Sequence, residues 1–473
     1  MKRGEFLNLE TAKKILKEYT TIHSRLVART EVAERYYRNE HDILFEPEKT
    51  DEADNPLRNA DNRVCNNFHG LLVNQKAGYM FTAPPLFDVG NDAANKRITD
   101  VLGDNYAKAC KDLCINASNA GIAWLHYWKN ESKQFEYGVV DSKQVIPMWS
   151  TGLNQKLTAV FRRYQQRDNE TGVLFDIYEY WTDTECQVFR KPCAATIEDL
   201  EYYSMFSSFI VDTQTTSDSP ILKHDFGRVP FIPFRNNNLT RGDLSDIKGH
   251  IDSYDKVYSG FVNDLEDIQE IIFVLTNYEG ESLSEFMGNI KKYKTIKANN
   301  YGDSDKSGVD TLNIDIPIEA RKELLNITRK EIFEKGQGVD PQPEQFGNAS
   351  GVALKFMYSL LELKAGLMET EFKLGFGEFV RAICQYLNIE VKSIIQIWTR
   401  TAIANDTEIA DICQKSAGIV SQRSILANHP FVEDVQAEID DLEEEKQKSM
   451  KSMENYAGAF GGVGGEPEPA AKE

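Results

Sequence analysis

The most regular hydrophobic pattern in the chain lies at residues 242–273. Apolar and aromatic side chains fall at Leu244, Ile247, Ile251, Tyr254, Tyr258, Phe261, Leu265, Ile268 and Ile272, in steps that alternate three and four. A period of about 3.5 keeps one narrow stripe turned toward a neighbour, so this segment is expected to be a helix packed along a seam against another helix. At about 1.5 Å per residue it would span about 45 Å. Its other faces are acidic: Asp243, Asp246, Asp252, Asp255, Asp264, Glu266, Asp267 and Glu270 stand against only Lys248 and Lys256. Such a face is either solvated or a surface that avoids polyanions.

Helical spacing also runs through residues 10–80. It shows at Ile22, Leu26, Ala33 and Tyr37, and again in NRVCNNFHGLLVNQKAGYMF, which Pro84 and Pro85 close. The charged, turn-rich EPEKTDEADNPLRNADN between them reads as an exposed loop. Two more helices are expected between Ala93 and Ala120. The period then changes to two. GIAWLHYW puts Ile122, Trp124, His126 and Trp128 on one face, and GVLFDIYEYW alternates likewise. LTAVFRRY and FGRVPFIPFRNNN also read as strands, the latter at an edge because of Pro230 and Pro233.

Residues 274–316 read as a small βαββ insert, with Ser282 and Glu285 as a capping box. A second helix follows, with Pro317 near its first turn and Gly336 just past its end. The two helices flanking the insert can run antiparallel. The polar loop GQGVDPQPEQFGNAS comes next, and a long helix begins near Ser350, with Gly366, Gly375 and Gly377 as places for a bend. SIIQIWTRTAI reads as a strand and residues 407–455 as helical. The tail from Gly458 is poor in apolar residues and is expected to be disordered.

Charge narrows the function. The chain has 473 residues and a net charge of −20, so it is not built to grip nucleic acid over its whole surface. Its seven cysteines are odd in number and irregularly spaced, which suits a reducing compartment. Cys110 and Cys114 are i, i+4 on an expected helix and read as core thiols rather than a metal pair. The N-terminal stretch has no signal-peptide h-region, and no apolar run is long enough to span a bilayer. GxxxxGK[ST], HExxH and CxxC are absent, and GNASG is not a nucleophile elbow. His126 sits on an aromatic strand face and reads as a core histidine; His69 and His429 show no partner. No catalytic site, cofactor or metal is therefore expected.

The order of parts resembles the portal proteins (head–tail connectors) of tailed bacteriophages, as found in siphophages of Gram-positive hosts. Three stretches carry the resemblance: NRVCNNFHGLLVNQKAGYMFTAPPLF, HDFGRVPFIPFRNNNLTRGDLSDIKGHIDSYDKVYSGFVNDLED and SGVALKFMYSLLELKA. The resemblance implies an α+β fold of several parts. These would be an N-terminal helical arm (1–60), a wing of helices then strands (61–241), a stem helix (242–273), an α/β clip (274–316) and a second stem helix (317–335). A tunnel loop (336–349), a long helix (350–388), a wing strand (389–412), a helical crown (413–457) and a disordered tail (458–473) would follow. It implies a homo-oligomeric ring of about 12 subunits at one capsid vertex, assembled in the host cytoplasm and carried in the virion. Double-stranded DNA would pass through it, held weakly and without sequence preference. The terminase large subunit and the head–tail adaptor would dock on it, beside the major capsid and scaffolding proteins, with no membrane involved.

On that reading the tunnel loop faces DNA with Gly336, Gln337, Gly338, Asp340, Gln342, Glu344, Gln345 and Asn348. Gly336 and Gly338 supply flexibility there, and Lys355 is the nearest candidate for a basic ring. Asp252, Asp255, Asp264 and Asp267 form an acidic stem surface that repels phosphate, and Leu244 to Ile268 form the packing seam. Two alternatives stay open at this point: another phage head or tail assembly protein, and an enzyme with an unrecognised site.

Overall fold

The structure is a computed structural model that describes residues 7–47, 60–210, 215–267, 272–276, 308–312, 317–341, 356–400, 406–426, 428, 429, 431, 432, 435 and 438–448. It divides into two compact units, Met1–Asp340 with Leu360–Thr401, and Pro341–Ser359 with Ala402–Glu473.

The first unit opens with α1 (Leu9–Tyr37), whose N-cap Asn8 accepts from the Thr11 N–H at 2.7 Å. The expected stripe on this helix is only partly the buried one. Ala33 is buried, but the buried tyrosine is Tyr36 rather than Tyr37, and Ile22 is 65% exposed. The helix serves two cores: Ala12 and Leu16 pack with strand residues, and Ala33 and Tyr36 pack with other helices. Next come α2 (Phe68–Met80), β1 (Leu86–Asp88), α3 (Asp92–Leu102) and α4 (Tyr106–Ala120). Cys110 and Cys114 are buried, free core thiols. Gly121 closes α4 with φ +86°, and a Cβ there would lie 2.1 Å from the Thr240 carbonyl oxygen, so only glycine fits.

A three-stranded antiparallel sheet holds β2 (Ile122–Lys129) between β3 (Phe135–Val140) and β12 (Phe231–Arg235). Pro233 thus sits on an edge strand, as its missing N–H requires. The alternation of β2 divides two cores instead of a core and solvent. Ala123, Leu125 and Tyr127 face a helical cluster, while Ile122 and Trp124 face the larger sheet. That sheet is built from β4 (Val145–Trp149), β5 (Leu157–Arg167), β6 (Leu174–Trp181) and β7 (Glu185–Pro192). Short β8 (Glu201–Tyr202) and β11 (Ile221–Lys223) add to β7, and β9 (Phe206–Ile210) and β10 (Thr215–Ser219) form a hairpin.

The helix anticipated at 242–273 is α5 (Leu244–Asp267), and Ile272, counted in its stripe, belongs instead to the strand that follows. After it, β13 (Ile272–Thr276) pairs antiparallel with β14 (Gly308–Leu312). The helix expected inside this insert and the KTIKANN strand lie outside the described residues. α6 (Ile318–Gly336) runs back antiparallel to α5: Arg321 pairs with Asp264, while Ile332 and Phe333 share a core with Ile247 and Ile251. α7 (Ser359–Tyr386) buries Phe372, Phe376, Phe379 and Ile383 in the helical cluster. Gly375 is a packing position: a Cβ there would stand 2.7 Å from the Phe234 ring. β15 (Ile395–Ile397) then pairs with β1.

The second unit, by itself, shows α8 (Asp406–Lys415), α9 (Gln422–Leu426) and a helical stretch at 438–448. Cys413 is buried, with its thiol 3.7 Å from the Ile425 carbonyl oxygen. Among the described residues, no helix is long and apolar enough to cross a membrane.

Candidate channel-loop base and stem helix

The start of α5 and the start of the polar loop meet in one buried charge cluster. Lys76 is fully buried on α2, a helix whose neighbours in sequence are mostly apolar. Its Nζ donates to Asp243 Oδ2 at 2.6 Å and to Asn236 Oδ1 at 2.8 Å. Asn236 Nδ2 donates in turn to Asp243 Oδ1 at 2.8 Å. Lys364 of α7 lies 3.1 Å from Asp243 Oδ2 and donates to the Gly336 carbonyl at 2.8 Å. Burial opposes the charge on Asp243, but the Lys364 and Lys76 ammoniums outweigh it and hold its carboxyl well below the usual carboxylate range. Burial lowers Lys364, with Asp243 partly offsetting it. One carboxylate therefore compensates two buried cations, and it ties α2, the end of the three-stranded sheet, α5 and α7 to the point where the loop departs.

The loop base is fixed there. Gln337 caps α6 in the left-handed region (φ 53°, ψ 47°), and the Gly338 N–H reaches back to the Phe333 carbonyl at 3.0 Å. Gln75 of α2 grips Val339 on both sides: its Nε2 donates to the carbonyl at 2.7 Å, and its Oε1 accepts the N–H at 3.1 Å. Arg329 holds Asp340 with two hydrogen bonds of 2.9 and 2.6 Å.

These contacts correct the reading of the loop's first residues. Gly336 and Gly338 are buried packing positions, not flexible ones: a Cβ on them would lie 2.6 and 2.1 Å from Leu72 methyl carbons. Gln337 is half-buried, and Asp340 is committed to Arg329. Gln342, Glu344, Gln345, Asn348 and Lys355 lie outside the described residues.

The stem seam divides along its length. Leu244, Ile247 and Ile251 are buried against Phe68, Leu72, Ile332 and Phe333. Tyr254 is half-buried, edge-on to Phe68 at 5.0 Å, and Phe261 lies beneath the Arg321 guanidinium at 5.7 Å. Tyr258 is 37% and Leu265 48% exposed, and Ile268 lies outside the described residues.

The acidic face is largely covered by the chain itself. The extended segment 60–67 straps α5, with the Asn62 N–H on Asn263 Oδ1 (2.6 Å), Val64 N–H on Ser259 Oγ (2.9 Å) and Asn66 N–H on Asp255 Oδ1 (3.0 Å). Two extended residues advance about 6.6 Å and four helical residues about 6.0 Å, so the two periods stay in step. Asp255 is 0% exposed and so does not belong to an acidic surface. Asp252 bonds to Lys248 at 2.8 Å and to the Tyr36 hydroxyl, and Asp264 pairs with Arg321. The Asp267 side chain lies outside the described residues. The partners Asn66 (of Asp255), Arg321 (of Asp264) and Tyr36 (of Asp252) lie far off in the chain, which hid them from sequence reading, whereas Lys248 is only four residues from Asp252.

His126 and His69 are structural. His126 is buried, stacked on Phe231 with centroids 4.2 Å apart, and its Nδ1 lies 2.8 Å from the Pro230 carbonyl; burial pushes it down to about 3. His69 faces Asn119 at 2.9 Å, and burial pushes it down to about 4. Both are neutral over the ordinary pH range and sit in the core.

The family described as "Phage portal protein, SPP1 Gp6-like" matches residues 16–452. A portal protein of Clostridium phage phiCD119 is 44% identical over 440 residues, covering 90% of this chain and 94% of that protein. A portal protein of Bacillus phage SPP1 is 29% identical over 475 residues, covering 96% and 92%. Among solved structures, a chain from the virion of a native gene transfer agent particle aligns at a TM-score of 0.42 and 12% identity, over 76% of this chain and 88% of that one. A chain from the neck of the native particle aligns at 0.40 and 13%, over 77% and 90%. The sequence matches, which span nearly the whole chain, carry the assignment: the chain belongs to the SPP1 Gp6-like family of phage portal proteins.

Proposed function

We propose that copies of this chain close into a ring of about 12 subunits at one capsid vertex, forming the channel through which double-stranded DNA is packaged and ejected. It acts as a structural conduit and not as an enzyme. The arm, wing, stem, clip, long helix and crown take the segments set out above. The terminase large subunit docks at the clip during packaging, and the head–tail adaptor takes that place afterwards. Major capsid and scaffolding proteins meet the ring's outer side. Rings assemble in the host cytoplasm and end in the virion.

The observation that carries this reading is the clamped loop base. Lys364, Gln75 and Arg329 hold residues 336, 339 and 340 from three helices, so these residues are anchored within the protomer and leave contact with DNA to the rest of the loop. The proposed DNA-facing set is therefore narrowed to Gln342, Glu344, Gln345 and Asn348, with Lys355 as the candidate for a basic ring. A polar loop short of positive charge touches phosphate without trapping it, because non-specific affinity grows with each cation offered. Of the proposed acidic lining, Asp267 remains, Asp255 is withdrawn because it is buried, and Asp252 and Asp264 are weakened because Lys248 and Arg321 pair with them.

Deleting residues 342–348 tests the reading. Rings should form and DNA packaging or retention should fail. Normal packaging by the deleted ring would remove the loop from the mechanism.

A further inference from the structure

Asp255 is a fully buried acid that the loop clamp does not use. Its Oδ1 accepts from the backbone N–H and the side-chain Nδ2 of Asn66, at 3.0 and 2.9 Å. Its Oδ2 lies 2.5 Å from Nδ1 of His41. His41 is 1% exposed and stacks flat on Tyr36, with centroids 4.4 Å apart at 9°. Its Nε2 has no hydrogen-bond partner among the described residues. The half-buried free thiol of Cys65 completes the group. His41, Cys65 and Asp255 each bring one ligand atom to within 4.8 Å of the others. Burial pushes the Cys65 thiol up, and the nearby Asp255 carboxylate adds to that effect.

The geometry points to a zinc site made by His41 Nδ1, Cys65 Sγ and Asp255 Oδ2. A carboxylate beside a thiol disfavours a thiolate on its own and favours a dication between them. Imidazole, thiolate and carboxylate together suit zinc, whereas calcium and magnesium take oxygen ligands. The thiolate and carboxylate neutralise the ion, so no net charge is buried. Zinc–ligand distances of about 2.0–2.3 Å set tetrahedral ligands about 3–4 Å apart, which needs Oδ2 and Nδ1 to part by about 0.8 Å and Sγ to close in on them. Water fills the fourth position. Asn66 fixes the carboxylate from behind and Tyr36 fixes the imidazole plane. Zinc takes the Nδ1 lone pair, so the ring proton that bridges Nδ1 to Asp255 must shift to Nε2, and the thiol proton leaves to solvent; affinity therefore rises with pH.

The ligands come from the turn after α1, the strap and the stem helix, and His41 and Asp255 are 214 residues apart in sequence. The ion would therefore cross-link arm, strap and stem midway along α5. This site does not depend on the ring reading.

The full-length protein loaded with zinc and desalted should retain one zinc per protomer. Loaded with Co2+, it should show thiolate-to-metal absorption in the near ultraviolet. Both should be lost in Cys65→Ser and kept in Cys193→Ser. Equal metal content in the wild type and Cys65→Ser would overturn the site. If Cys65→Ser does not fold, alkylation of the wild type, read by peptide mass, decides. Zinc should slow the labelling of Cys65 at least tenfold, and an unchanged rate would overturn the site.

Discussion

The two ends of α5 share one sequence pattern and meet different surroundings. At the N-terminal end, Leu244, Ile247 and Ile251 bury themselves against α2 and α6 of their own chain, beside a carboxylate that holds two lysines. Toward the other end the same stripe continues, yet Tyr258 and Leu265 stand partly in solvent. A continuous period therefore does not mean one continuous partner. In the ring reading, the first half of the seam builds the protomer and the second half meets a neighbouring copy.

Several substitutions can break or sharpen that contrast. The largest effect is expected at the buried end. Asp243→Asn leaves Lys76 and Lys364 without their counter-charge and should cost about 3–5 kcal/mol in denaturant unfolding. A variant as stable as the wild type would show that the cluster is not the anchor described. Next, Ile251→Ala should cost about 2–5 kcal/mol. Leu265→Ala should shift protomer stability by about 0.5 kcal/mol or less and should instead weaken ring assembly, read by analytical ultracentrifugation. Equal losses of stability at both positions would erase the division of the seam.

Gly338→Ala brings a methyl against Leu72 and should cost about 1–3 kcal/mol. Gly366→Ala meets open space on a helix and should stabilise by about 0.5–1 kcal/mol. The pair separates a packing glycine from a merely permissive one, and thermal melts of both variants check it. Acid tests two buried histidines of the core. His69 and His126 have folded values of about 4 and 3, below the ordinary 6.5. The unfolded chain therefore binds more protons, and stability is full above pH 6.5 and falls as pH drops toward those values. At about pH 5.5 each histidine should cost about 1 kcal/mol. Trp181 lies edge-on to His126 at 4.8 Å, so tryptophan fluorescence reports the surroundings of that ring. Unfolding midpoints that do not move between about pH 7 and 5.5 would place both rings in contact with water.

Local pattern made much of the fold legible. Steps of three and four marked α5, period two marked the sheets, and Pro233 marked an edge strand. Sequence order also carried the portal resemblance, because each part follows the last as in the family. What stayed hidden was pairing over distance. Lys76 was an anomaly in the apolar run LLVNQKAGYM, a signal open to reading, but nothing in the sequence joined it to Asp243 and Lys364. Gly336 and Gly338 looked flexible because sequence does not show Leu72 lying on them. Asp255 looked like one more solvated acid because the strap that covers it is 189 residues away. His41, Cys65 and Asp255 escaped for the same reason, since metal motifs are recognised by short spacings.

The central claim is that this chain works as a closed ring. The most direct measurement is the mass of the purified full-length protein in solution, taken with images of the same sample. The account predicts annular particles seen end-on, with a mass of about 12 protomers. A stable monomer with no annular particles across the working concentration range would contradict it.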